Sequence, residues 1–265
     1  MGCTISIVFH PYGDPKEHFI KTLGLFEVAN IIPHLDYIIT GPDIDPQILV
    51  DSGREDDVKF VHLNERDNWI METQSDDWEA LFSGNDEYSA NIGPVFPFFK
   101  GVMMRCLCIN IVIGNEDIEA LYKVKDRIHI LEQRFNLFSA EVSSHDEIHI
   151  GYKHLHAYAM GNDTPCNLPY LAVGRHFKSG LIPGMVNWIN YWSNETLEAI
   201  GFDGAVDKEL FYDATRMSKG WYLQLTKDPF NFENPEHIEI LKSVYNRFKK
   251  IGGQDLIEQG LVPRD

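Results

Sequence analysis

The stretch Met103–Phe135, MMRCLCINIVIGNEDIEALYKVKDRIHILEQRF, changes period half-way along. Its first part, MMRCLCINIVIG, is a long apolar run that predicts a central strand. The second part, NEDIEALYKVKDRIHILEQRF, predicts a helix capped by Asn115, with Ile118, Leu121, Val124, Ile128, Leu131 and Phe135 on one face. A strand feeding a helix in mid-chain sets the class, and the flanks fill it in. Upstream, CTISIVF reads as a first strand. DPKEHFIKTLGLFEVANII reads as a helix, with Asp14 at the N-cap, Pro15 at N1, Glu17 at N3 and a stripe of Phe19, Leu23 and Phe26. LDYIIT and VKFVHLN read as short strands set apart by the turn residues of GPDIDP and DSGREDD.

Downstream, FSAEV and EIHIGYKHLHAY both read as strands before a loop-rich connection around GNDTPCNLP. A strand in IPGMVNWINYWS, a short helix in SNETLEAIG, a strand in GWYLQLT and a last helix follow. Asn234 caps that helix, Pro235 takes N1, and Ile238, Leu241, Val244, Tyr245 and Phe248 line one face before Gly252 ends it. The order predicts an α+β fold with a mixed, mostly antiparallel sheet and helices packed on it. Residues 1–265 suffice for one compact domain, or for two packed halves dividing near 140–165. No solenoid-length repeat, low-complexity tract or Pro/Gly/Ser linker interrupts them.

The 265 residues are 44 % hydrophobic and 12 % aromatic, enough for a large core. Cys3, Cys106, Cys108 and Cys166 show no disulfide-framework spacing, which suits a reducing compartment. No charged n-region leads into an apolar run, and no run of spanning length occurs, so the expectation is a cytoplasmic protein without a membrane partner. MGCTIS formally fits the myristoylation pattern, but the alternation of Ile5, Ile7 and Phe9 ties that end into a strand.

The formal net charge of −17 is segregated. From Asp36 to Ala90 there are fifteen Asp and Glu against Arg54, Lys59 and Arg66, a net of −12. Such a field repels nucleic-acid phosphates and anionic lipid and attracts basic partners. Within it, QSDDWEALFSGNDEY sets carboxylates among aromatics without a Lys or Arg. Trp69, Glu72, Asp76, Asp77, Trp78, Glu79, Asp86, Glu87 and Tyr88 are therefore the candidate partner-binding residues: aromatics give contact area, and carboxylates give attraction and register. The alternative is an acidic helix end whose aromatics face the core.

Catalytic signals are sparse. In SSHDEIHIGYKHLH, a strand would hold His145 and His149 about 13 Å apart, too far for one ion, and would put His154 and His156 on one face. Those two could co-ligate a metal with a third ligand from elsewhere. On a helix, Glu147 would point away from His145 and His149, so the zincin pattern fails. Asp43-x-Asp45 followed by Pro46 lacks the glycine and distal glutamate of a calcium loop. No Gly-x-Ser-x-Gly elbow, phosphate-binding loop or dinucleotide fingerprint is present. No catalytic residue, metal or cofactor is assigned. Trp188, Tyr191 and Trp192 in MVNWINYWS suit a buried strand better than a sugar or base platform.

From Ile182 onward the chain carries Asn190, Tyr191, Trp192 and Ser193, then Ala199, Ile200, Gly201 and Phe202. Gly220, Trp221, Leu225, Thr226, Asp228, Asn234, Pro235 and His237 complete the pattern. This ending resembles that of the immunity protein 52 family of bacterial polymorphic-toxin systems, and of a related uncharacterised family. The resemblance covers about the last third of the chain. It implies an inhibitor of a secreted, restriction-endonuclease-like nuclease toxin, whose DNA cleft would be rich in Lys and Arg. The acidic, aromatic segment would compete for that cleft. The rival readings are a metal-dependent enzyme using His154 and His156, and a non-catalytic binding domain without a toxin partner.

Overall fold

The computed structural model of the chain describes residues 3–9, 37–40, 59–62, 80–83, 88–95, 98–99, 102–103, 106–113, 124–134, 137–173 and 180–263. Two compact units divide the chain. One comprises Met1–Phe96 and Arg105–Asn136, the other Pro97–Met104 and Leu137–Asp265.

The described strands of the first unit are β1 (Cys3–Phe9), β2 (Tyr37–Thr40), β3 (Lys59–His62), β4 (Ala80–Ser83) and β5 (Tyr88–Val95). A two-residue hairpin, β6 (Phe98–Phe99) with β7 (Val102–Met103), falls within the second unit, and β8 (Cys106–Ile113) returns to the first. Here the strands run in the order β1-β8-β5-β4-β2-β3, with antiparallel pairing throughout. The apolar run that predicts a central strand is β8: Ile109 pairs with Ile7 on one side and Ile92 on the other. Alternation in β1 is as expected, with Cys3, Ile5 and Ile7 buried and Thr4 and Ser6 half-buried. The helix after β8 is described as α1 (Val124–Arg134), and Val124, Ile128 and Leu131 form its buried stripe. Its expected start at Asn115, with Ile118, Leu121 and Phe135, lies outside the described residues, as does the whole helix expected from Asp14.

The second unit begins with β9 (Leu137–Ser144) and α2 (His145–Met160). Then come β10 (Ile189–Ser193), α3 (Asn194–Ile200), β11 (Asp213–Arg216), β12 (Gly220–Gln224), α4 (Pro235–Arg247) and α5 (Gln254–Glu258). Its strands are ordered β11-β12-β10-β9, all antiparallel. All five residues of β10 are buried, so Tyr191 and Trp192, with Trp188 just before the strand, are core and not a platform. Trp192 meets Phe211 and Phe248 edge-on. Gly220, opposite Ser193, admits this packing, because a Cβ there would collide with the Trp192 carbonyl and the Tyr191 phenol.

The expected strand EIHIGYKHLHAY is instead the helix α2. Ser144 and Glu147 form a reciprocal capping box and Gly161 closes the other end in the left-handed region at φ 67°. Local end signals thereby override the β-branched alternation of Ile148 and Ile150. The last helix starts as expected at Asn234 and Pro235 but ends at Arg247, short of Gly252. Gly252, at φ 62°, serves the next turn, where its N–H donates to the Pro183 carbonyl at 2.9 Å.

Candidate functional site

With α2 helical, its residues separate into two stripes. Glu147, Gly151, His154 and Ala157 face inward and are buried. A side chain at Gly151 would press on the Met185 methyl at 2.6 Å, so glycine lets the helix lie close to that segment. The outward stripe carries Asp146, His149, Tyr152, Lys153, His156 and Met160, all exposed. Tyr152 is 63 % and Met160 67 % accessible, so this face exposes two large apolar side chains.

A polar layer, buried except at exposed Glu141, adjoins the inward stripe. Ser143 donates through its hydroxyl to Asn187 Oδ1 at 2.9 Å, and Asn187 Nδ2 donates to the Glu141 carboxylate at 2.6 Å. Asn190 bonds the backbone of Asn187 with both ends of its amide, accepting at 3.1 Å and donating at 2.7 Å. Glu147, 2 % exposed, accepts from the backbone N–H groups of Ser144 and Trp188. Burial nonetheless pushes its carboxyl up to about 8, the two N–H donors opposing and neighbouring Glu141 adding to the rise. His154 is buried too, and its Nε2–H donates to the Pro169 carbonyl at 2.6 Å. Burial holds that imidazole below its ordinary value, against the hydrogen bond. Tyr245 of α4 is edge-on to His154 at 5.5 Å, its hydroxyl accepting from the Val186 N–H at 3.1 Å.

The helix also alters the metal reading. Two residues apart on a helix are about 200° apart around it, so buried His154 and exposed His156 cannot share an ion. Among the described residues no three His, Cys, Asp or Glu side chains are grouped to hold one. Glu147 points inward while His149 points out, as the failed zincin pattern requires.

Of the candidate partner residues, Trp69, Glu72, Asp76, Asp77, Trp78, Glu79, Asp86 and Glu87 lie outside the described residues. Tyr88 opens β5, where its backbone pairs with that of Ile113. Leu81 and Phe82 fall in β4, and β4 and β5 pair as a hairpin, with Ser83 opposite Ser89. The outward stripe of α2 was missed in sequence because the segment reads as a strand. The signal that finds it is Ser144-x-x-Glu147.

The family model for a domain of unknown function, DUF5953, matches residues 120–256, more than half of the chain. The chain belongs to the DUF5953 family. That description is of an uncharacterised domain and not of immunity protein 52. Among solved structures, the fold is similar to that of the Pseudomonas aeruginosa T6SS protein PA0821. The TM-score is 0.54 at 15 % identity, over 94 % of this chain and 76 % of that one. Curated protein sequences give no match.

In this DUF5953 chain the C-terminal pattern does structural work. Ser193 caps α3, accepting from the Thr196 N–H, and Gly201 closes it at φ 77°. Asn234 caps α4, accepting from the Glu236 N–H at 3.0 Å, and His237 Nδ1 accepts from the Asn231 N–H at 3.0 Å. Thr226 donates to the Asp228 carbonyl at 2.7 Å. An ion pair outside the pattern joins these parts. Arg247 Nε and Nη2 donate to buried Asp207 at 2.7 and 2.9 Å, and Nη2 also donates to the Gly201 carbonyl at 3.0 Å. No described helix is long and apolar enough to cross a membrane.

Proposed function

We propose that this DUF5953 protein is a non-catalytic immunity protein of a type VI secretion system, which binds a cognate nuclease toxin in the cytoplasm and keeps DNA from its active site. The observation that carries the reading is the fold likeness to a T6SS protein along 94 % of the chain. The resemblance of the C-terminal pattern to immunity protein 52 narrows it to toxin neutralisation. The −12 segment narrows it to a toxin with a basic cleft, since its field attracts cationic surfaces and repels DNA. The outward stripe of α2 offers a second contact: Tyr and Met are favoured in the cores of protein interfaces.

Co-expression tests the reading. The toxin encoded beside this gene should kill a host cell alone and spare one that also makes this protein. The two chains should then co-purify in equal amounts. Death in both hosts, with no complex recovered, would remove the toxin from the reading.

A further inference from the structure

In the order β11-β12-β10-β9, β11 pairs with β12 alone among the described strands. The register fixes which of its backbone groups that pairing uses. Met217 donates its N–H to the Gly220 carbonyl across Ser218 and Lys219. Alternation along an antiparallel pair then turns the backbone groups of Thr215 and Asp213 towards their partners Tyr222 and Gln224. The far side of β12 agrees. There the Leu225 N–H donates to the Trp188 carbonyl, so Leu223 and Trp221 are the residues whose backbone turns to β10. The N–H and C=O groups of Ala214 and Arg216 therefore point away from the sheet, and no backbone group among the described residues bonds them there.

A cavity of about 350 Å³ opens where this strand begins. Tyr212, just ahead of β11 and 60 % exposed, lines it together with Leu225 past the end of β12 and Ile240 of α4. Glu209 and Glu236 add two carboxylates to its wall and Lys227 one ammonium. An open strand edge with a largely apolar hollow at one end suits an extended peptide: backbone hydrogen bonds hold the added strand, and the hollow selects one of its side chains. A second copy of this chain is the rival occupant, but a net charge of −17 opposes self-association and favours a basic strand. We propose that an extended segment of the toxin adds to β11 as a further strand and places an apolar side chain in the cavity beside Tyr212. This occupant rests on the immunity reading above.

Amide hydrogen exchange reads the edge directly. In the full chain alone, the Ala214 and Arg216 amides should exchange about tenfold faster than the Thr215 amide between them, and bound to the toxin encoded beside this gene they should become as slow. Slow exchange at both in the free monomer would show the edge already covered and overturns the proposal. A dimer in sedimentation, with these two amides protected, gives the edge to a second copy and overturns it as well. Ala214→Pro removes an outward N–H and no bond to β12, so it should keep the melting temperature and weaken the toxin complex about tenfold. Should that variant fail to fold, exchange on the unmodified chain decides. A complex that forms without protecting Ala214 and Arg216 sinks the added strand and leaves the immunity reading standing, whereas no complex at all sinks both.

Discussion

Asn234 and Arg247 illustrate what single residues do here. Asn234 supplies one acceptor to the first turn of α4, at 3.0 Å from the Glu236 N–H. Asn234→Ala should cost about 1 kcal/mol in chemical denaturation and leave partner affinity unchanged. An equal melting temperature with lost affinity would make the residue part of the interface. Arg247 differs because its partner is sunk: Asp207 is 2 % exposed and accepts both guanidinium bonds. Since the arginine itself is 42 % exposed, solvent screens its side of the pair. Arg247→Ala should therefore cost about 2–3 kcal/mol, chiefly by stranding a buried carboxylate. Arg247→Ala with Asp207→Asn should recover part of that loss, and a double variant weaker than the single one would contradict this cause. The cap at Asn234 was legible because Asn-Pro before an apolar stripe is a local signal. The Asp207 pair was not, because it joins residues 40 positions apart.

At the scale of elements, legibility followed the clarity of the period. The final helix and β8 carry unmixed patterns: β8 lies within its predicted run, and the helix starts where its residues predict but ends at Arg247, short of Gly252. In α2, Ile148, Ile150 and Tyr152 alternate while Glu147, Gly151 and His154 repeat at helical spacing, and the buried members of the helical set are polar or glycine. A hydrophobic reading sees little in a core face made of Glu, Gly, His and one Ala, so the end signals, the capping box and Gly161, reveal the helix. Its consequence is the outward stripe. If that stripe contacts the toxin, Tyr152→Ala with Met160→Ala should speed dissociation about tenfold in surface-plasmon experiments while the melting temperature stays put. Unaltered dissociation would place the partner elsewhere.

Charge belongs to the whole molecule. A net −17 with −12 in one segment is a statement about encounter and not about fold, and it was fully legible because it needs only counting. Which side chains would touch the proposed toxin was not legible, because an interface is defined by two surfaces and the sequence contains one. Raising salt from low to physiological concentration should slow association with the toxin markedly. Changing Asp76 and Asp77 to Asn and Glu79 to Gln should lower the association rate, whereas Trp78→Ala should raise dissociation by about 2 kcal/mol. A salt-independent rate, untouched by these changes, would make the segment a solvated surface.

The most direct measurement is a titration of the toxin's DNA cleavage with this protein at fixed toxin concentration. Neutralisation by binding predicts a linear loss of activity that reaches zero at one chain per toxin, with the toxin recovered intact. Full cleavage at a tenfold excess, or an inactivation that continues with time at a small fraction of one chain per toxin, would contradict it.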